Sequence, residues 1–292
     1  VSLHLTSPYD EQGGAWIRGN LHGHCREFSS CASVPLKEGV RRHYETGARF
    51  LAITDHDHVT DLSEIRSLWP DVIFFEGFEW SSSENLLFIG SSVPPLFQLA
   101  LPEALHAAKD LLTVICHPKP SKAHDYWTVP MIAALDPAPI GMEIYNAHYS
   151  RRHRVWSDPN PIYTDIWDTL LTRGTRLWGF ANDDSHDPHD YGCTFTMACV
   201  KEPSAQGLLT ALKAGRFYAS TGLVLDRFVM NGDTIEVTLT SSAVGRFIGP
   251  GGRVLATSDG CRFSYSHKGE TYIRFEAESA AGRIFLQPSV VV

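Results

Sequence analysis

A chain of 292 residues, 43% of them hydrophobic, can bury a full core and is too apolar to stay disordered. Its formal charge of −8 excludes a protein whose main task is coating a nucleic-acid backbone, so no stable duplex binding is expected. Six cysteines without a C-x-x-C pair or dense spacing exclude a disulfide scaffold, and no apolar run reaches the ~18 residues that span a bilayer.

In chain order, the opening VSLHLTSPYDEQGG carries neither a charged n-region nor an apolar h-region, so a cytoplasmic setting with reduced thiols is expected. Seven short apolar runs then read as strands: WIRGNLHGH (16–24), ARFLAITDH (48–56), VIFFEGFEW (72–80), NLLFIG (85–90), LLTVICHP (111–118), IGMEIYN (140–146) and RLWGFANDDSH (176–186). Three helices are predicted between them, over 33–47 with Ser33 as N-cap and Gly47 as stop, 101–110 and 164–174. Strands alternating with helices predict a parallel sheet or barrel, and most runs end in residues of metal-ligand type, where such a barrel carries its chemistry. SAQGLLTALKAGRF (204–217) reads as a last helix ending at Gly215. From 223 onward the pattern turns to strand alternation: TIEVTLT (234–240), then CRFSYS and TYIRFEAES joined across HKGE as a predicted hairpin. Residues 223–292 are therefore expected to form a small β module that covers or walls the site without supplying a metal ligand. Its lone histidine, His267, falls in the hairpin turn.

On a strand, residues i and i+2 share a face, so His22 and His24 in NLHGHC converge, as do Asp184 and His186 in NDDSH. Glu79 in EGFEW and His117 in CHP end two further strands, and TDHDH adds Asp55 and His56. A single His-x-His pair means little, because 14 histidines in this length give roughly 0.7 such pairs by chance. Five separate strand ends bearing ligand-type residues point to a metal site. Nitrogen and carboxylate donors of this kind suit zinc, manganese or iron, and a carboxylate such as Glu79 can bridge two ions. His4, His43, His106, His153 and His267 read as hydrogen-bonded or exposed, while His58, His124 and His189 stay open.

The ordered set H-x-H, T-D-H, G-x-E, H-P, E-x-x-N and D-x-H, spread over residues 16–187, resembles the polymerase and histidinol phosphatase (PHP) superfamily. The resemblance implies an α/β fold, a distorted (β/α)7 barrel over residues 1–222 followed by the β module, with two or three divalent metal ions. GRFYASTG (215–222) ahead of that module further resembles the carbaryl-hydrolase-like branch. Carried over residue by residue, His22 and His24 with Glu79 and Asp184 hold one ion, Glu79 and His117 a second, and His56 with His186 a third. Two positions depart from the pattern. Ser29 stands where a third-site aspartate is expected, and Asn85 where many relatives have histidine. Both are weak, neutral donors, so two ions, or one tight and one labile, is the expectation.

Such a site implies a hydrolase using a metal-activated water. The favoured reading is a phosphoesterase acting on a small-molecule phosphodiester, with promiscuity toward phosphotriesters. The alternatives are a carbamate, ester or amide hydrolase of the carbaryl-hydrolase type, and a non-catalytic metal-binding module. Asp55, His186 and Arg26 are the candidate catalytic residues. Asp55 would orient His56 or relay a proton, and Arg26, with Lys119 and SRRHR (150–154), would bind phosphate. Trp80, Tyr126, Trp127, Tyr145, Tyr149 and Trp156 read as core or pocket lining.

Overall fold

The computed structural model describes residues 4–9, 13–150 and 158–291. After a short β1 (Leu5–Thr6), all seven apolar runs form strands: β2 (Ala15–Asn20), β3 (Phe50–Ile53), β4 (Ile73–Trp80), β5 (Leu86–Gly90), β6 (Leu112–Ile115), β7 (Gly141–Asn146) and β8 (Trp178–Asn182). Five helices lie between them: α1 (Leu36–Glu45), α2 (Ser63–Leu68), α3 (Leu101–Ala107), α4 (Val129–Ala133) and α5 (Thr164–Thr172). Of these, α2 and α4 are too short to leave a periodic signal. Ser33 does not cap α1, which begins after Pro35. Its hydroxyl instead donates to the His186 carbonyl (3.3 Å) and the Asp187 carboxylate (2.5 Å), tying the loop after β2 to the loop after β8.

The central strands read as unbroken apolar runs because both of their faces are buried. Phe50 and Ala52 of β3 pack into one apolar cluster with Phe75, Leu87, Val114 and Phe180, while Leu51 and Ile53 pack into another with Val40 of α1 and Ile65 of α2. On the far strands, Phe88, Ile115, Met142 and Ile144 meet Trp167 and Leu170 of α5.

The (β/α)7 barrel is not what forms. Strands β2–β3–β4 are parallel and β6–β7–β8 are parallel, but β5 runs antiparallel to both neighbours. Residues 81–85 alone separate β4 from β5, too few for the crossover of about a dozen residues that a parallel pair needs, so the chain makes a hairpin. Nor is the sheet closed. It ends at β8, and the other edge of β2 is taken by β9 (Phe195–Val200), which runs antiparallel. Beyond the strand ends the two sides meet through the Asp184 N–H on the His22 carbonyl (3.1 Å) and the His24 N–H on the Ser185 carbonyl (2.9 Å). Because β5 alone is reversed among these strands, β2, β3, β4, β6, β7 and β8 all point the same way, and their C-terminal ends share one end of the sheet.

After β9, α6 (Ala205–Lys213) starts at Ser204, whose hydroxyl accepts the Gly207 N–H, and the chain turns at Gly215 with a φ of 75°. Strand β10 (Phe217–Ser220) pairs with β9. The tail adds β11 (Leu225–Asn231), β12 (Thr234–Gly249), β13 (Arg253–Ser266), β14 (Tyr272–Ser279), β15 (Gly282–Leu286) and β16 (Ser289–Val291). The hairpin expected across HKGE does not form. A register shift between Thr238 and Ala243 divides β12 into two halves: the first lies between β11 and β13, the second between β13 and β14. Strand β14 goes on to pair with β15 and β16, and β15 with β10, so the sheet runs on into the tail. A buried ion pair fixes α5 against β14: Asp168 accepts from Arg274 Nε (2.7 Å) and Nη2 (2.6 Å) and from the Tyr272 hydroxyl (3.0 Å). Among the described residues no helix is long and apolar enough to cross a membrane, and no disulfide forms.

Candidate metal centre

Every ligand-type residue singled out on a strand end comes to that shared end of the sheet. His22 and His24 follow β2, His56 follows β3, Glu79 closes β4, His117 follows β6, and Asp184 and His186 follow β8. The glycine of H-G-H is required by close approach, since a Cβ at Gly23 would lie 2.6 Å from the Ser185 hydroxyl. The backbone is strained in the same place. Among the described residues, the non-glycine residues with positive φ are Asp57 (45°), His117 (20°) and Asp184 (51°), all of them in or beside the cluster. Such conformations persist where surrounding bonds over-determine them, as at ligand sites.

Four donor atoms form the heart of the cluster. His22 Nε2 lies 3.2 Å from His24 Nε2, 3.2 Å from Asp184 Oδ1 and 3.4 Å from Glu79 Oε2. His24 Nε2 lies 3.2 Å from Asp184 Oδ1 and 3.3 Å from Glu79 Oε2. An ion with tetrahedral bonds of about 2.0–2.1 Å needs its ligands about 3.3–3.4 Å apart, which is this spacing. The tautomers agree. His22 Nδ1 is 2.8 Å from Glu143 Oε1, and His24 Nδ1 is 3.3 Å from the Ser29 hydroxyl, which itself donates to Asp55 (2.6 Å). Both Nδ1 atoms therefore carry the proton, and both Nε2 lone pairs point among carboxylate oxygens. Glu79 Oε2, fully buried, accepts no directed hydrogen bond although imidazole nitrogens of His22, His24 and His56 lie within 3.4 Å. Four acceptors facing one another call for a cation, and the residues fit divalent metal ions.

The rest of the cluster extends from Glu79. Its Oε1 lies 3.2 Å from His117 Nε2 and accepts from Asn85 Nδ2 at 2.7 Å. Cys116, unmarked in the sequence, brings its thiol into the same group as His22, Glu79 and His117. On the other side His56 stacks on His24 and His186 lies tilted against it, with ring centroids 4.4 and 4.3 Å from His24. Although burial works against it, the field of Asp184, Glu79 and Glu143 holds the proton affinity of His22 well above the ordinary imidazole value. Burial likewise opposes the charge on Glu79, yet His22 and the other imidazoles hold its carboxyl well below the usual range. His186 goes the other way, pushed down to about 3 by burial and by His24. A field that attracts protons to the Glu79 side of the cluster attracts cations there too.

Asp55 sits deeper than expected. It accepts from the Cys25 N–H (2.8 Å), the Cys25 thiol (3.1 Å), Ser29 and Thr60 (2.6 Å), and does not bond the His56 ring. Its link to His56 runs through Ser29, whose oxygen accepts the His56 N–H (3.2 Å), so it braces the loop after β2 rather than orienting His56 directly. Arg26 is exposed on that loop and makes no ion pair with a described residue, while Lys119 is paired with Asp125 (3.3 Å). Residues 151–154 of SRRHR, His153 and Trp156 lie outside the described residues. His106 bonds the Pro102 carbonyl and His267 the Glu270 carbonyl, both away from the centre. Tyr126 donates to Asn85 (2.7 Å) and Trp127 to the Asn85 carbonyl (2.9 Å), fixing that residue against Glu79.

Glu143 and Asn146, the E-x-x-N of the ordered set, received no role from the sequence. Glu143, fully buried, also accepts the His117 N–H (2.7 Å), Asn182 Nδ2 (3.0 Å) and Asn146 Nδ2 (2.8 Å), and Asn146 Nδ2 reaches Asp184 Oδ2 (3.1 Å). One carboxylate thus orients two ligand histidines. A second group, His148, His186 and Asp190, adjoins the centre, with Asp190 accepting the His186 N–H at 3.0 Å.

The open mixed sheet gathers a histidine–carboxylate cluster that could hold divalent metal ions. The solved structure of a two-domain protein containing a predicted PHP-like metal-dependent phosphoesterase, from Bacteroides vulgatus, matches with a TM-score of 0.58 at 17% identity, covering 99% of this chain and 98% of that one. A lesion-specific endonuclease from Pyrococcus furiosus matches with a TM-score of 0.46 at 16% identity, over 68% of this chain and 56% of that one. No protein-family model and no curated protein matches the sequence. The first of these likenesses bears out the PHP resemblance at the level of the fold. The finer likeness to the carbaryl-hydrolase branch stays an expectation from the sequence.

Proposed function

We propose that this protein is a metal-dependent hydrolase of small-molecule phosphoesters, with phosphodiesters preferred and phosphotriesters as promiscuous substrates. The observation that carries the reading is the convergence of His22 Nε2, His24 Nε2, Asp184 Oδ1 and Glu79 Oε2 at 3.2–3.4 Å, with every lone pair turned inward. His22, His24, Asp184 and Glu79 would hold one ion, Glu79 and His117 a second, and His56 with His186 a weaker third. Zinc, manganese and iron all suit such donors. Divalent ions so held supply a water of near-neutral pKa and polarise the ester oxygen.

The chain's own residues do the rest. Glu143 keeps His22 in the tautomer that presents Nε2. His186 donates through Nδ1 to the Asp184 carbonyl (2.8 Å), which leaves the Nε2 lone pair for a cation. We assign Arg26 to the phosphate, and Asp55 to bracing Ser29 beside His24. Charge supports a diester over a monoester. Two divalent ions against the directly facing carboxylates of Glu79 and Asp184 and a deprotonated nucleophile leave one positive charge. Glu143 behind His22 lowers it further, so a diester's single negative charge is a closer match than a monoester's two.

The test is kcat/KM on matched aryl mono-, di- and triesters of phosphate and an aryl carbamate, before and after chelation and metal restoration. A diester preference that chelation abolishes supports the proposal. A monoester preference of tenfold or more, about 1.4 kcal/mol in the transition state, overturns the diester assignment. Faster carbamate turnover would favour a carbaryl-hydrolase type of reaction instead.

A further inference from the structure

The loops that carry the ligands also carry an aromatic residue with no work to do in the fold. Phe28 keeps 47% of its surface exposed and belongs to none of the four apolar clusters. Its ring lies flat on His58, with centroids 4.0 Å apart and planes 17° from parallel. An exposed apolar side chain alone is ordinary; the stack and its position are not. Phe28 precedes Ser29, whose hydroxyl touches His24 Nδ1 (3.3 Å) and the His56 N–H (3.2 Å), and His58 follows His56 by two residues. Both rings are borne on pinned backbone. The Phe28 and Ser29 N–H groups donate to the Cys25 carbonyl at 3.2 and 2.9 Å. Between His56 and His58, Asp57 holds a φ of 45° while its carboxylate accepts the Ser81 N–H at 2.9 Å.

We propose that Phe28, backed by His58, is a stacking platform at the rim of the metal centre that binds a planar aromatic group on the substrate. This rests on the phosphoesterase reading above and specifies its substrate class: a phosphoester bearing an aryl ring or a nucleobase. A ring resting on a pre-stacked pair gains dispersion and quadrupole attraction without ordering a mobile side chain, and any flat π-face serves.

The test is calorimetric titration of the metal-loaded protein with phenylphosphonate, a nucleoside 5′-monophosphate and methylphosphonate, which needs no turnover. Wild type is expected to bind at least one of the two aromatic ligands about tenfold more tightly than methylphosphonate, about 1.4 kcal/mol. Whichever it favours identifies the aryl ring or the nucleobase. Phe28→Ala should bring that preference within about twofold, and Phe28→Trp should keep it. On aryl diesters the alanine variant's loss should fall on KM. A wild type without the preference, or an alanine variant that retains it, overturns the platform. The chelation assay above judges the hydrolase reading separately, so the two failures cannot be confused.

Discussion

Replacing Glu79 with glutamine keeps the side chain's shape and removes the charge that sits between the donor groups. Oε2 lies 3.4, 3.3 and 3.0 Å from nitrogens of His22, His24 and His56, and Oε1 lies 3.2 Å from His117, so the change reaches both sides of the cluster at once. If free metal stands at about 100 times Kd, each bound ion stabilises the fold by about 2.7 kcal/mol, and two by about 5 kcal/mol. At about 2 °C per kcal/mol for a chain of this size, metal should raise the wild-type Tm by about 10 °C over the chelated protein. Losing a charged ligand should weaken each ion at least as much as losing a partner behind one, about 100-fold. At the same metal concentration that leaves about 0.4 kcal/mol per ion, and the metal-dependent rise in Glu79→Gln shrinks to about 2 °C. Thermal melts with and without chelator, together with metal content by mass spectrometry, measure both quantities. A Glu79→Gln protein that keeps the full metal-dependent rise and full metal content refutes the bridging role. A wild type whose Tm ignores chelation refutes the centre.

Glu143→Gln sets an amide against the donors of His22, His117, Asn146 and Asn182, and should lower metal affinity by about 10–100-fold, read by metal titration. Asp168→Asn takes from buried Arg274 the carboxylate that holds its Nε and Nη2 and leaves only Glu276, 2.6 Å from Nη1. It should cost about 3–5 kcal/mol in urea unfolding, as breaking buried pairs does, with metal content unchanged. His267→Ala removes a turn contact to the Glu270 carbonyl and should leave turnover within about twofold; loss of metal in that variant would contradict its placement outside the centre.

What the sequence discloses, and what it hides, follows from how local each signal is. Strand existence and the clustering of His22, His24, His56, Glu79, His117, Asp184 and His186 depend on apolar runs and on which ends they stop at, and both are local. Strand direction was also readable at one place, because residues 81–85 leave no room for a crossover before β5. The pairing of β9 on β2 and of β14 on β12 depends on contacts far apart in the chain, and no neighbouring residues announce it. Glu143 and Asn146 stood in the ordered set as E-x-x-N, but parity hid that they act together. Three apart on a regular strand they face opposite ways, but the register of β7 on β8 shifts between Glu143 and Tyr145, and Asn146 Nδ2 comes to bond the Glu143 carboxylate. Asp55 misled because adjacency to His56 in sequence is not adjacency in space: on a strand end, consecutive side chains diverge.

The two departures from the PHP pattern do more than remove donors. Ser29 donates to Asp55 at 2.6 Å and Asn85 to Glu79 Oε1 at 2.7 Å, so each places a hydrogen on a carboxylate where relatives are expected to place a ligand. For Ser29 the consequence stays behind the centre, because Asp55 has no imidazole partner of its own. For Asn85 it falls on the centre itself. Oε1 is the Glu79 oxygen on the His117 side, and an oxygen that already accepts from an amide offers less electron density to a cation. Oε2, on the His22 and His24 side, accepts no such bond and keeps its full strength. The Tyr126 hydroxyl, shared between the Ser83 carbonyl (2.5 Å) and the Asn85 amide oxygen (2.7 Å), favours that posture of Asn85, in which Nδ2 faces Glu79. The proposed first ion, among His22, His24, Asp184 and Glu79 Oε2, should therefore be the tighter one, and stepwise chelation should remove the ion proposed beside His117 first.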